Sequence, residues 1–88
     1  MERAGIKKRI EKAVRDHKWA NPGEPVEDFH CFVSDYGMDS LDRVELVMDV
    51  EREFGITVSD YEFEHLLTVK SLVDCVELKI CENGKKGN

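Results

Sequence analysis

The sequence predicts an all-α fold, a four-helix bundle of three longer helices and one short third helix. Three observations support this prediction. Apolar residues recur at steps of three and four in several separate segments, which is the pattern of a buried helix face. Two of these segments begin with residues that typically cap helices, and no segment alternates apolar and polar residues as a strand does. With 88 residues, the chain has the length of one small domain.

The first helix is expected over about residues 3–18. Its narrow apolar stripe consists of Ile6, Ile10, Ala13 and Val14. The turn sequence NPG at 21–23 ends the helix, and residues 21–39 form a connection that contains both prolines. A connection of this length in a compact domain is usually functional or anchored to the core. The predicted anchors are Val26, Phe29, Phe32 and Val33.

The second helix is predicted from Leu41 to Phe54, and a helical wheel divides its residues between two faces. The apolar face consists of Val44, Val47, Val50 and Phe54. The acidic face consists of Asp42, Glu45, Asp49 and Glu53. Leu41 and Met48 lie at the seam between the faces. They belong either to the core or to a small apolar ridge with a charged rim, which is the composition of a transient docking surface.

Capping residues mark the two remaining helices. The sequence SDYE at 59–62 matches a capping box and opens a short third helix, and Thr68 caps the fourth helix. The third helix carries Tyr61, Phe63, Leu66 and Leu67. The apolar face of the fourth consists of Leu72, Val73, Val76 and Ile80. Residues 1–82 are therefore predicted to form the domain, and residues 83–88 to form a disordered tail.

Charge is distributed unevenly along the chain. Residues 1–18 hold seven basic and three acidic side chains, whereas residues 24–64 hold thirteen acidic side chains and only two basic ones, Arg43 and Arg52. The acidic stretch is expected to repel nucleic acid and anionic lipid and to attract basic protein surfaces. No apolar run approaches the roughly 20 residues of a membrane span, and the start of the chain lacks the apolar region of a signal peptide. We therefore expect a cytoplasmic monomer with no membrane span and no nucleic-acid partner.

The sequence offers no catalytic group and no metal site. Its three cysteines form neither a CxxC pair nor a cluster with histidine at zinc-ligand spacing, so reduced thiols are expected. None of the three histidines has a catalytic spacing to a carboxylate, and no GxSxG elbow surrounds a serine. A calcium loop that starts at Asp35 would need a carboxylate where Leu46 stands. The predicted protein is not an enzyme.

Ser40 lies between an aspartate and a leucine at the predicted start of the second helix. Backbone N–H groups point outward there, and the positive end of the helix dipole stabilises an anion by about 0.3–1 kcal/mol. A phosphate on this serine would therefore be stabilised. Serine is a common N-cap residue, but Asp39 can cap the helix by itself. We interpret Ser40 as an attachment point.

The segment GMDSLDRVELVMDVEREFGI at 37–56 closely resembles the signature of acyl carrier proteins, in which the serine bears a phosphopantetheine arm. CFVSDYG at 31–37 and VSDYEFEHLLTVKSLVDCVE at 58–77 resemble the flanking parts of that family. The resemblance implies a covalent 4′-phosphopantetheine on Ser40, attached from coenzyme A by a separate transferase. It also implies a non-catalytic carrier that presents acyl thioesters to enzymes of fatty acid or polyketide-like biosynthesis.

With this resemblance, three groups of site residues are predicted. The cofactor site consists of Ser40, Asp39 and Leu41. The residues that bind basic partner surfaces are Asp42, Glu45, Met48, Asp49 and Glu51. The acyl cavity is lined by Val47, Val50, Phe54, Val58, Phe63, Leu66, Leu72 and Val76.

Several positions depart from the pattern that is usual in the family. Met38 stands where alanine is common, Tyr36 where leucine is common, and Arg52 where the acidic helix often has a glutamate. Phe63 and Leu72 stand where smaller residues are frequent around the acyl cavity, which favours shorter or different cargo.

Two alternatives to an acyl carrier remain open. An aminoacyl or peptidyl carrier would use the same fold, although peptidyl carriers more often have histidine where Asp39 precedes the serine. The chain could also be an acidic helical adaptor that is never modified.

Overall fold

A computed structural model describes the backbone of residues 2–86 and the side chains of residues 2–82. Four α-helices follow one another along this part of the chain: α1 (Arg3–Asp16), α2 (Ser40–Phe54), α3 (Asp60–Glu64) and α4 (Val69–Lys86). No β-strand occurs among these residues. The predicted all-α bundle of three longer helices and one short third helix is confirmed.

The first helix packs against both other long helices. Ile6, Ile10 and Val14 are completely buried in the core that α1 shares with α2 and α4, as their spacing predicted. The helix ends at Asp16, two residues earlier than predicted. The chain turns away because Lys18 adopts a left-handed backbone conformation, with a φ of 64°.

The connection between α1 and α2 is anchored by two of its four predicted residues. Val26 and Phe32 are buried, but Phe29 and Val33 are 73% and 52% exposed, so their prediction as anchors was wrong. The reason is a run of tight turns in which the N–H of Asp35 donates to the carbonyl of Cys31 at 2.9 Å. In such a run, neighbouring apolar residues cannot all face the same side.

Backbone hydrogen bonds hold this connection against the start of α4. The N–H of Phe32 donates to the carbonyl of Leu67 at 2.9 Å, and the N–H of Val69 donates to the carbonyl of His30 at 3.0 Å. These bonds flank an isolated antiparallel bridge between Cys31 and Thr68, and they satisfy the backbone groups that take part. This arrangement fixes the approach of the chain to the start of α2.

The buried face of α2 differs from the predicted one at two residues, Val44 and Leu46. Leu46, Val47 and Val50 are buried, whereas Val44 is 39% exposed. The wheel assigned Val44 to the core and omitted Leu46, because periodicity alone does not give the direction from which α1 and α4 approach the helix. The exposure of Val44 leaves an additional apolar side chain on the outer face of α2.

The predicted caps of the last two helices are confirmed. The N–H of Glu62 donates to Ser59 Oγ at 3.1 Å, and the N–H of Ser59 donates to Glu62 Oε1 at 2.9 Å. The hydrogen bond from the N–H of Ser59 holds the pKa of Glu62 below its ordinary value, and the contact with Lys79 lowers this pKa further. At the start of α4, the N–H of Ser71 donates to Thr68 Oγ1 at 3.1 Å.

The fourth helix continues to Lys86, so residues 83–86 of the predicted tail are helical. A single glycine at position 84 destabilises a helix by about 1 kcal/mol but does not terminate it. Residues 87–88 of the predicted tail lie outside the described part of the chain.

The basic first helix forms ion pairs with the acidic remainder of the chain. Arg3 contacts Asp74 of α4 at 2.6 Å, and Arg9 contacts Glu53 of α2 at 3.2 Å. His17, just after α1, contacts Asp49 of α2. The basic and acidic parts of the sequence therefore form ion pairs with each other within the bundle. Much of the basic surface of α1 already contacts carboxylates of this chain.

Candidate functional site

The start of α2 is capped by aspartates rather than by serine. Asp39 is the N-cap residue, and Ser40 is the first residue of the helix. The N–H of Asp42 donates to Asp39 Oδ1 at 2.8 Å, and the N–H of Asp39 donates to Asp42 Oδ2 at 3.1 Å. This reciprocal capping box satisfies the backbone groups that a serine cap would otherwise serve.

Ser40 is therefore left without a structural role for its hydroxyl group. Its side chain is exposed, and no hydrogen bond from its hydroxyl occurs among the described residues. The preceding Gly37 has a φ of 66°, a left-handed conformation that glycine adopts without strain, and Met38 is buried. The glycine turn and the methionine anchor together place Ser40 at the outer end of a 15-residue helix.

The geometry at Ser40 fits a covalently attached phosphodiester group. The hydroxyl is accessible to an attaching enzyme, and the N-terminal end of the helix provides a positive dipole for the phosphate. Asp39 and Asp42 oppose this attraction, but the capping hydrogen bonds direct their oxygens toward the backbone. The resulting site presents one exposed nucleophilic oxygen on a rigid element.

An apolar ridge runs along the outer face of α2 from the same end. Leu41 and Met48 are 73% and 49% exposed, and the half-exposed Val44 lies between them in the sequence. Their spacing of three and four residues places them in one row on the helix. Leu41 and Met48 are therefore not core residues, and the interpretation of the two as part of an apolar ridge remains.

The predicted partner-binding carboxylates differ in what they already contact. Asp49 contacts both Arg52 and His17, Glu51 Oε2 accepts the backbone N–H of Val58 at 2.8 Å, and Asp42 belongs to the capping box. Glu45 is exposed and, within residues 2–82, makes no hydrogen bond or ion pair through its side chain. The sequence could not distinguish these residues, because their partners come from other elements of the fold.

The residues predicted for the acyl cavity belong to one apolar cluster. Its buried members are Val47, Val50, Leu66, Leu72 and Val76. Partly buried members are Phe54, Val58 and Phe63, which pack against the cluster. The structure shows a surface groove of about 340 Å³ between α3 and α4, lined by Tyr61, His65, Leu66 and Leu78 among others. Leu72 and Val76 are completely buried, so the bundle fills its interior with its own side chains at these two positions.

His30 and the cysteines have local surroundings of their own. His30 contacts the hydroxyl of Tyr36 at 2.9 Å, and no cluster of metal-ligating side chains occurs in residues 2–82. The cysteines are free thiols, and burial raises the pKa of the Cys75 thiol. No helix in the described part of the chain is long and apolar enough to cross a membrane.

Comparisons with known proteins show the family of this chain. Residues 23–76 match the family model described as "Phosphopantetheine attachment site", a range that includes Ser40. The "Acyl carrier protein" of Sinorhizobium fredii (strain NBRC 101917 / NGR234) and the "Acyl carrier protein AcpP" of Rhizobium meliloti (strain 1021) are each 42% identical to this chain over 72 residues, which is 82% of this chain and 91% of the relative. The chain therefore belongs to the acyl carrier protein family, and it is a non-catalytic carrier whose prosthetic group is a covalent 4′-phosphopantetheine.

Proposed function

We propose that Ser40 is the residue that carries the 4′-phosphopantetheine group. The observation that supports this most directly is the exposed hydroxyl of Ser40, which makes no hydrogen bond within residues 2–82 and lies beside an aspartate that caps the helix in its place. When bound, the group supplies a terminal thiol on which acyl chains travel as thioesters. Asp39 and Asp42 hold the helix start rigid, and the backbone N–H groups of the first turn stabilise the phosphate.

We further propose that the outer face of α2 is the docking surface for partner enzymes. Asp42, Glu45, Met48, Asp49 and Glu51 are the predicted contacts. The structure favours Glu45 as the main charged contact, since its carboxylate is exposed, and it leaves Met48 exposed as an apolar contact on the same ridge as Leu41. A transient partner needs fast association and polar contacts around a small apolar centre, and this face provides both.

Replacing Glu45 with lysine is expected to slow phosphopantetheine attachment several-fold at low salt, because the reversed charge repels the basic surface of the transferase. The difference from wild type should shrink as salt shortens the Debye length to about 8–10 Å. Steady-state rates of attachment over a salt series provide the measurement.

Glu64→Lys is the matched control for charge, since Glu64 is also exposed but lies on α3. It should react at nearly the wild-type rate. Asp49→Lys is also expected to slow attachment, but it breaks the contacts with Arg52 and His17 as well. If Glu45→Lys and Glu64→Lys react equally fast, the acidic face of α2 does not steer the transferase.

The proposed setting is acyl-chain synthesis, either of fatty acids or of polyketide-like products, by a cytoplasmic monomer. The acidic character of residues 24–64 supports basic enzyme partners in this role and opposes nucleic-acid binding. Release of the thioester cargo from purified protein, followed by mass spectrometry, would identify the pathway. Release of an amino acid would support an aminoacyl or peptidyl carrier in its place.

A further inference from the structure

Arg43 of α2 reaches across to α3 and contacts its last residues. Its guanidinium carbon lies 4.5 Å from the centroid of the Phe63 ring, in the geometry of a cation–π contact. Its Nη2 donates to the carbonyl of Phe63 at 2.9 Å and lies 3.4 Å from the carbonyl of Leu66. One side chain thus contacts both the ring and the backbone at the end of α3.

These contacts matter because α3 is a weak element by itself. It has only five residues, and a helix of one turn is unstable in water without tertiary contacts. The carbonyl of Phe63, near its C-terminal end, accepts from the N–H of Leu66 at 3.1 Å and in addition from Arg43. Before the start of α3, Glu51 Oε2 accepts a hydrogen bond from the N–H of Val58 at 2.8 Å. Side chains of α2 therefore fix the segment 58–66 at both ends.

The position of Arg43 relative to Ser40 gives this contact a functional meaning. The two residues are three apart on α2, so their side chains lie on one helix face, roughly 5–6 Å apart at Cβ. Leu66 and Leu72 are buried in the core, and Arg43 Nη2 lies 3.4 Å from the carbonyl of Leu66. A chain attached through Ser40 that enters the core on this side must part α2 from residues 63–66, and it must displace Arg43 from Phe63.

We propose that Arg43 is a latch that closes the seam between α2 and the segment 63–66, and that it thereby disfavours burial of long acyl chains. The proposal rests on the assignment of Ser40 as the attachment residue. Short acyl groups end before they reach the core, so the latch does not affect them. Long groups gain free energy for each buried methylene, and that gain is reduced by the cost of opening the latch.

Two features of the Arg43 side chain allow the latch to open. Arg43 Nε is buried, and it has no hydrogen-bond partner among the described residues, so the closed state leaves one donor unsatisfied. The side chain as a whole is only partly buried, and water can solvate the guanidinium after it swings outward. The free energy that favours the closed state is therefore smaller than it would be for an arginine whose donors were all paired.

The first part of the test uses the protein without its prosthetic group. Arg43→Ala is compared with Arg52→Ala, since Arg52 is also on α2 but, among residues 2–82, forms its ion pair with Asp49 of the same helix. Hydrogen exchange of the backbone amides in residues 63–66 should become about tenfold faster in Arg43→Ala. The reason is that loss of a hydrogen bond from a charged donor raises the population of the locally open state about tenfold or more. Arg52→Ala should exchange like wild type. Equal exchange in the two variants would overturn the latch, whatever the outcome of attachment at Ser40.

The second part uses each variant loaded with a butanoyl or a dodecanoyl group. Dodecanoyl loading should raise the Tm of Arg43→Ala more than that of wild type or Arg52→Ala, while butanoyl loading should shift all three alike. A merely stabilising role for Arg43 would lower every Tm without this dependence on chain length, and that result would also overturn the proposal. Intact mass after loading reports separately on Ser40, so failure of the attachment site is distinguishable from failure of the latch.

Discussion

Replacement of Ser40 by alanine is expected to abolish attachment of phosphopantetheine completely. Incubation of the wild-type protein with coenzyme A, magnesium and a promiscuous phosphopantetheinyl transferase should add one arm, which intact mass detects. The variant lacks the oxygen that forms the phosphodiester, so its mass should not change. Because Asp39 caps α2, the variant should remain folded and should lose little stability.

Ser34→Ala is the matched control for this experiment. Ser34 is also exposed, and it lies in the connection that leads to α2, so the same substitution there tests whether the reaction depends on position. This control should accept one arm as wild type does. Addition of an arm to Ser40→Ala would show that another residue is modified, and the assignment of Ser40 would fail.

The combined replacement of Phe63 and Leu72 by alanine is expected to have the largest effect on stability. Truncation of a buried large side chain costs about 2–5 kcal/mol of unfolding free energy, and Leu72 is completely buried. Phe63 is only partly buried, so its share should be smaller, although its loss also removes the surface on which Arg43 packs. A long acyl chain should occupy the space that is created and restore part of the lost stability.

The measurement is the Tm of the unloaded and dodecanoyl-loaded forms. The loaded double variant should gain more than loaded wild type does. Ile10→Ala is the matched control, since Ile10 is completely buried but lies on α1, outside the predicted acyl cavity. It should lose stability and regain none of it through loading. A double variant that gains no more than wild type would show that Phe63 and Leu72 do not limit the cavity.

Features that depend on neighbours in the chain were predictable from the sequence. The capping box at Ser59 and the cap at Thr68 were both recognised, because a capping side chain bonds to backbone only three residues away. The ability of Asp39 to cap α2 was recognised for the same reason. The interpretation of Ser40 as an attachment point used this reasoning, since a serine beside a functioning cap has no remaining backbone group to serve.

Features that depend on the direction of packing were not predictable in the same way. The wheel placed Val44 in the core in place of Leu46, and the connection exposes Phe29 and Val33, which were expected to be anchors. A periodic pattern shows that a helix has a buried face, but the neighbouring helices determine where that face points. A helical wheel can therefore assign a flanking residue to the wrong face.

The sequence by itself therefore determined the helical class, the helix caps and the serine at the start of α2, because these follow from local hydrogen bonding and periodicity. Only the tertiary structure decided which carboxylates remain available to a partner, since Asp49 and Glu51 find their partners in His17 and in the backbone of Val58. It also placed Arg43 over Phe63, twenty residues further along the chain. Contacts between residues so distant in sequence form only when the bundle is packed, and no local pattern records them.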